Sequence, residues 1–182
     1  KTIFENKPSD GVRVLSARVS FLISHILADN DGRSAVFGNN SYLVIPGKTV
    51  SVKTGTTDDK RDNWTIGYSQ KSSAYTPQYV VGVWVGNNDN SPMDPTLASG
   101  ITGAAPIWNK IMTQALKGKA DEPLNPPSGI VNSTIDKNYG GLPYQDKSTR
   151  NEYFISGTEP TTQSSIYQSL KISKNHSDKL AN

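Results

Sequence analysis

The chain has 182 residues, enough for one ordinary domain, and 34% of them are hydrophobic while 19% are charged. The formal net charge is +3 and lysine and arginine form no block, which argues against a nucleic-acid partner held through its phosphates. The sequence contains no cysteine and no apolar run of about 18 residues, so it predicts neither disulfides nor a membrane-spanning helix. No pattern of ligands predicts a metal site or a cofactor.

An amphipathic helix is predicted to begin at Ser16, a residue type that caps helix N-termini. The apolar residues that form its stripe are Leu15, Val19, Leu22, Ile23, Ile26 and Leu27. The polar sequence Asp29-Asn30-Asp31-Gly32 is interpreted as the stop signal of this helix. Residues 1–13 and 30–48 are rich in polar residues, glycine and proline, and are predicted to be loops.

Three strands follow, at residues 49–55, 64–68 and 79–86, and each shows the period-two alternation of a sheet. In the first strand, Ser51 and Lys53 share one face and two valines share the other. The connections between the strands are short and polar, which favours antiparallel hairpins.

A second amphipathic helix is predicted around Pro106, which suits the first turn of a helix, and it ends at Gly118. Its apolar residues are Ile107, Trp108, Ile111, Met112, Ala115 and Leu116. The order helix, three antiparallel strands, helix predicts an α+β domain over residues 1–118. Residues 119–182 are interpreted as a Pro/Gly-rich linker and a polar, partly disordered tail, with strand-like pieces at 130–135 and 153–155.

The sequence Lys53-Thr54-Gly55 ends the first predicted strand and runs into Thr56. Three residues alone are a weak signal, but the context is specific. The segments that follow in order are Asn-Trp-Thr-Ile-Gly-Tyr at 63–68, Gly-Val-Trp-Val-Gly-Asn-Asn-Asp at 82–89, Ser-Gly at 99–100 and Ala-Ala-Pro-Ile-Trp at 104–108. This succession resembles the transpeptidase domain of class A (bifunctional) penicillin-binding proteins, in which Lys-Thr-Gly is one of the defining motifs. The resemblance covers residues 12–117 closely and the rest more loosely.

The resemblance implies the serine β-lactamase/penicillin-binding transpeptidase fold, an antiparallel sheet packed by helices. It also implies D,D-transpeptidase activity, in which a serine is acylated by the D-Ala-D-Ala stem peptides of peptidoglycan. β-Lactams would bind at the same site. The location that it implies is the extracytoplasmic face of the bacterial cytoplasmic membrane, with an anchor upstream of this chain.

Five residues are expected to form the part of the site that this chain carries. Lys53 and Thr56 are the catalytic candidates: Lys53 supplies a cation at the nucleophile and the substrate carboxylate, and the Thr56 N–H matches a second oxyanion-hole donor. Ser51, Thr54, Gly55 and Thr56 are the substrate-binding candidates. The threonine hydroxyls could reach the terminal carboxylate, and Gly55 lets the substrate approach the backbone.

The serine motifs of the family are not found in the required places. No serine is followed by lysine three residues later, and the single Ser-x-Asn, Ser173-Lys174-Asn175, comes after Lys53-Thr54-Gly55 and not before it. We therefore expect the nucleophile in an N-terminal part of the same enzyme, which would be the principal partner of this chain. Without that part, the helices and the sheet are expected to leave apolar faces exposed.

The alternative interpretation is a non-catalytic cell-wall binding or scaffold module, in which the sheet only supports the tail. Two further polar segments are interpreted as structural and not as functional sites. Residues 58–62, Asp-Asp-Lys-Arg-Asp, are interpreted as a solvated hairpin tip, and residues 87–94 as a polar turn without the ligand spacing of a calcium loop.

Overall fold

The computed structural model describes residues 2–5, 11–71, 77–95, 98–99, 102–145, 147–164 and 166. The chain divides into two compact units, Lys1–Pro127 and Ser128–Asn182. The predicted domain boundary after residue 118 and the predicted disorder of the tail stay predictions, and residues 167–182 lie outside the described part of the chain.

The first helix, α1, spans Ala17–Ala28, as predicted. The Ser16 side chain accepts a hydrogen bond from the Val19 N–H at 3.2 Å and so caps the helix. Arg33 lies beyond the C-terminus of α1 and donates from Nη1 to the Leu27 carbonyl at 2.7 Å, which satisfies one of the carbonyls that the helix leaves unpaired. Burial of the guanidinium lowers the pKa of Arg33, and the nearby Asp29 carboxylate opposes that shift.

A second helix, α2, spans Asn30–Phe37, where a loop was predicted, so that prediction was wrong. Asp29 explains the difference, because it ends α1 and also caps α2 by accepting a hydrogen bond from the Gly32 N–H at 3.0 Å. Aspartate is among the best N-capping residues, so a polar sequence that ends one helix can begin the next.

The three predicted strands form one antiparallel sheet in the order β1 (Val50–Thr56), β2 (Asp62–Ser69) and β3 (Val80–Gly86). The register of the first hairpin pairs Lys53 with Ile66, and Thr56 with Asn63. The strand β1 therefore lies at one edge of the sheet and β2 in its centre.

One face of the sheet is closed by α3, the helix predicted around Pro106, which spans Ala104–Leu116 and contacts β2 and β3. Trp108 and Met112 are 0% exposed at the centre of this core. The remaining members of the core are Leu43, Ile45, Val50, Val52, Val83, Ala104, Ala105 and Leu116. Gly67 makes this packing possible, because a Cβ atom there would lie 2.5 Å from Cζ2 of Trp108.

The opposite face of the sheet is covered only in part, by α1, which contacts β1. Ser24 on α1 shares a hydrogen bond of 2.8 Å with the Tyr68 hydroxyl on β2. Beyond the reach of α1, the side chains of Trp64, Ile66 and Trp84 stay 44%, 47% and 41% exposed. This face is therefore apolar and open in the described residues.

The second unit contains an antiparallel hairpin of β4 (Ile130–Asp136) and β5 (Thr149–Ile155), in line with the predicted strand-like pieces. Asp136 is 0% exposed, and its Oδ1 accepts hydrogen bonds from the N–H groups of Asn138 and Tyr139, each at 2.9 Å. These bonds fix the turn that follows β4. None of the helices among the described residues has the length and hydrophobicity that a membrane span requires.

Candidate functional site

The sequence Lys53-Thr54-Gly55 lies in the C-terminal half of β1, at the free edge of the sheet. The Thr57 N–H donates to the Asp62 carbonyl at 3.1 Å, directly after β1. Because hydrogen-bonding directions alternate along an antiparallel strand, the N–H and C=O groups of Thr54 and Thr56 are directed away from β2. Two residues of the predicted site therefore present backbone donors and acceptors along an edge that no described strand covers.

Lys53 lies on the open face of the sheet and is exposed. Its ammonium group donates to the carbonyl of Thr54, which places the cation beside the free edge of β1. Among the described residues, Lys53 forms no ion pair. Two cavities described by the structure, of about 280 and 730 Å³, share Gln70 in their linings, and Lys53 lines neither of them. The site expected at Lys53 therefore stays a prediction.

Ser51 is 0% exposed, although it was predicted to bind substrate. Its hydroxyl donates to the Ser24 carbonyl at 2.7 Å and accepts from Nε2 of Gln70 at 2.8 Å. Both capacities of the hydroxyl are used in joining α1 to the sheet, so Ser51 has a structural role here. We leave Ser51 out of the proposed site.

Gly55 is exposed, and a Cβ atom there would meet only the Cβ of Trp64, at 3.9 Å. That distance is an ordinary van der Waals contact, so the packing of the described residues does not require glycine at this position. The space above Gly55 is open on the same face as Lys53.

Asn63 is the residue of this region that the sequence reasoning missed, since it was noted only as part of a longer segment. Its side chain is 0% exposed on β2 and lies opposite Thr56. Its Nδ2 donates to Thr56 Oγ1 at 2.9 Å and to the Ser99 carbonyl at 3.0 Å, and its Oδ1 accepts from the Ala104 N–H at 2.6 Å. Asparagine is uncommon within strands, which was the available signal.

The segment between β1 and β2 is a hairpin tip with Asp58 and Asp59 exposed, as interpreted, but the tip also contacts a neighbouring loop. Lys60 donates to the Pro95 carbonyl at 3.0 Å, and its own carbonyl accepts from the Met93 N–H at 3.1 Å. Arg61 donates to the Asn90 carbonyl. The tip therefore holds the loop after β3 beside the end of β1.

That loop contains Asp89, whose Oδ1 accepts from the Ser91 hydroxyl at 2.7 Å and from the Ser91 N–H at 3.0 Å. These bonds hold the pKa of the Asp89 carboxyl below its usual value. The Asp89 carboxylate therefore stabilises its own turn through these hydrogen bonds. Within the described ranges, no group of three or more His, Cys, Asp or Glu side chains converges as a metal site.

An antiparallel sheet with helices on both faces and Lys-Thr-Gly on its edge strand defines an α+β transpeptidase-type fold. This chain superposes on a crystal structure of penicillin-binding protein 1A from Haemophilus influenzae, solved at 2.6 Å resolution, with a TM-score of 0.66. The match has 29% sequence identity and covers 87% of this chain and 23% of that one. The predicted fold class is therefore confirmed.

Curated relatives show the family. Penicillin-binding protein 1A of Escherichia coli (strain K12) is 38% identical over 171 residues, which are 82% of this chain and 19% of the relative. Penicillin-binding protein 1A of Clostridium botulinum (strain Langeland) is 30% identical over 186 residues, which are 96% of this chain and 20% of the relative. The family model described as "Penicillin-binding protein 1A, C-terminal domain" matches residues 126–169.

The chain belongs to the penicillin-binding protein family, and its similarity is to penicillin-binding protein 1A over most of its length. It spans 19% to 20% of the length of these two relatives.

Proposed function

We propose that this chain is the part of a serine D,D-transpeptidase of peptidoglycan synthesis that binds the substrate along the edge of β1. The nucleophilic serine would come from another part of the same enzyme. The observation that carries the proposal is the free edge of β1, where the backbone groups of Thr54 and Thr56 lie beside the exposed cation of Lys53.

An extended peptide can add to such an edge as a further strand, with main-chain hydrogen bonds that position it. The D-Ala-D-Ala end of a stem peptide would lie antiparallel to β1 across Gly55, where no side chain stands in its way. The need for close approach explains the glycine, since the packing of this chain does not require it. A β-lactam would occupy the same edge.

In the proposed reaction, the serine oxygen attacks the carbonyl of the penultimate D-Ala and the terminal D-Ala leaves, which forms an ester on the serine. An amine of a second stem peptide then attacks the ester, so that a new peptide bond forms and the serine recovers its proton. The Thr56 N–H would donate to the oxyanion in both steps, a contribution of roughly 3 kcal/mol for donors of this kind.

Lys53 would stabilise the negative charge that develops at the oxyanion and attract the terminal carboxylate of the substrate. Its charge lies on a flexible stem at an exposed position, so it acts as a point charge that can follow the substrate. Thr54 and Thr56 would contribute hydroxyl groups to the carboxylate. The transpeptidation would take place on the outer side of the cytoplasmic membrane, to which the longer protein would be anchored.

The test is to label the full-length protein that contains this chain with a fluorescent penicillin, digest it and locate the adduct by mass spectrometry. We expect the adduct on a serine outside residues 1–182, because a serine needs a neighbouring base to become a nucleophile and no serine here has a lysine at the required spacing. An adduct within residues 1–182 contradicts the assignment of roles. The absence of any adduct on folded protein favours the scaffold alternative.

A further inference from the structure

The side chain of Asn63 joins three parts of the first unit: the end of β1 at Thr56, the loop at Ser99, and the start of α3 at Ala104. It is 0% exposed, so its carboxamide depends on these partners to satisfy its polar atoms. Neither the fold class nor the proposed reaction by itself requires a buried carboxamide opposite Thr56.

The partners fix which way the carboxamide points. Its Oδ1 must face the Ala104 N–H, because the reversed orientation would place two donors against each other there. It would also place two acceptors against each other at the Ser99 carbonyl. The amide NH2 group must therefore face Thr56.

Gly103 protects this arrangement. A Cβ atom at position 103 would lie 2.4 Å from the Asn63 Oδ1, which no side chain there could tolerate without displacing the carboxamide. Gly103 is also the N-cap residue of α3 and forms no side-chain cap of its own. Asn63 supplies the missing acceptor from β2, so α3 is tied to the strand that pairs with Lys53-Thr54-Gly55.

The orientation of Asn63 decides what the Thr56 hydroxyl can do. Because Thr56 Oγ1 accepts from Asn63 Nδ2 at 2.9 Å, its own hydrogen is directed elsewhere. Within the described part of the chain, that hydrogen has no acceptor. Thr56 is exposed, so it presents a hydroxyl donor to solvent at the free edge of β1.

We propose that Asn63 is a positioning residue that holds the Thr56 hydroxyl as a donor to the terminal carboxylate of the substrate. The proposal rests on the proposed function, in which that carboxylate lies along β1. A carboxylate accepts hydrogen bonds only, and a bond to a charged group is stronger than a neutral one. An acceptor in place of the Asn63 NH2 would claim the Thr56 hydrogen and turn its oxygen lone pairs toward the substrate.

The test is Asn63→Asp in the full-length protein. The introduced carboxylate keeps an acceptor for the Ala104 N–H, and its second oxygen replaces the donor that faces both Thr56 Oγ1 and the Ser99 carbonyl. We expect the second-order rate of acylation by benzylpenicillin to fall about tenfold or more, chiefly through weaker binding, since a charge-assisted hydrogen bond is lost. The loss should appear in the dissociation constant for benzylpenicillin and not in the limiting rate of acylation, because the Thr56 hydroxyl is proposed to bind the carboxylate.

A double-mutant cycle with Thr56→Val shows whether Asn63 acts through Thr56. Thr56→Val removes the hydroxyl at an exposed position, and we expect Asn63→Asp to cause no further loss of acylation in that background. An equal loss in both backgrounds, or a loss confined to the limiting rate of acylation, overturns the proposal. If Asn63→Asp does not fold, the cycle is run with Asn63→Ala, whose smaller loss must also vanish in the Thr56→Val background.

Asn109→Asp is the matched control. Nδ2 of Asn109 donates to the carbonyls of Tyr42 at 2.9 Å and Val44 at 3.0 Å, away from the proposed site. The same change there should lower the thermal midpoint without a change in acylation.

If Thr56→Val leaves acylation unchanged, the role of Thr56 in the proposed function fails. An acylation-competent serine outside the chain would still be detected by the labelling experiment, so the two failures are distinguishable.

Discussion

The two faces of the three-stranded sheet differ in the side chains that they bury and leave exposed. The face toward α3 is closed, yet it carries Asn63 and Thr65, both 0% exposed. The opposite face carries Trp64, Ile66 and Trp84, which stay 41% to 47% exposed. Large apolar side chains therefore stay exposed on the face that carries Lys53, and an exposed apolar patch of this kind is typical of a surface that contacts another protein segment or a ligand.

The closed face tolerates its polar groups because most of them have partners. Asn63 is bonded to three groups, and Ser69 Oγ accepts from the Tyr79 N–H at 3.0 Å. The exceptions are Thr65 Oγ1 and Trp108 Nε1, which are buried without a hydrogen-bond partner among the described residues. The faces therefore differ in kind: the closed one is fixed by packing and hydrogen bonds, and the open one leaves large apolar side chains exposed.

The largest effect is expected for Lys53→Ala on the open face. In the full-length protein, acylation by a fluorescent penicillin should slow about 100-fold, because a charge placed at the oxyanion and carboxylate is removed. The measurement is the rate of label incorporation under single-turnover conditions. Lys110→Ala is the control, since Lys110 is exposed on α3. Equal rates for the two variants would remove Lys53 from the proposed site.

Next in size is Gly67→Ala on the closed face. The added Cβ would lie 2.5 Å from Trp108 Cζ2 and 2.8 Å from the Ser51 carbonyl oxygen, so the helix or the strand must shift. We expect a loss of about 1–3 kcal/mol, as for overpacked cores. Denaturant midpoints of the full-length variants report it.

Gly82→Ala is the matched change on the open face, because its Cβ would meet Ile66 Cγ1 at an ordinary 3.7 Å. Its effect should stay within about 0.5 kcal/mol. Similar losses for the two alanines would mean that the faces are not packed differently.

The open face should also limit the solubility of residues 1–182 expressed alone, where its apolar side chains meet solvent. Ile66→Thr, at a position that is 47% exposed, is expected to raise the soluble fraction of that chain measured by sedimentation. Val52→Thr, at a position that is 3% exposed on the closed face, should lower it, because a hydroxyl is buried in the core. A lower soluble fraction for Ile66→Thr than for Val52→Thr would contradict the comparison of the two faces.

The smallest effect is expected for Thr65→Val. Removing a buried hydroxyl that has no partner should leave stability unchanged or raise it by up to about 1 kcal/mol. Ser69→Ala removes a hydroxyl that accepts from the Tyr79 N–H and should cost about 1 kcal/mol. The denaturant midpoint of Thr65→Val should therefore be higher than that of Ser69→Ala, and the opposite order would contradict the prediction.

Local patterns in the sequence predicted the elements well. Apolar spacing with a Ser16 cap located α1, and alternation located β1, β2 and β3, because these signals arise from the geometry of a single helix or strand. Local pattern failed at α2, where Asp29 serves two helices in succession. The motif Lys53-Thr54-Gly55 and its neighbours also led to the correct family before any contact was known.

The site itself depended on contacts between distant residues. Alternation along β1 places Ser51 and Lys53 on one face, but it does not say that α1 covers Ser51 and leaves Lys53 exposed. The role of Asn63 likewise requires the Ser99 loop and the start of α3, which are 36 and 41 residues away along the chain. The sequence by itself determined α1, α3, the strands of the sheet with their two faces, and the family. Only the tertiary structure decided which face is closed and which polar groups remain available, because burial is set by packing between segments that the local sequence does not encode.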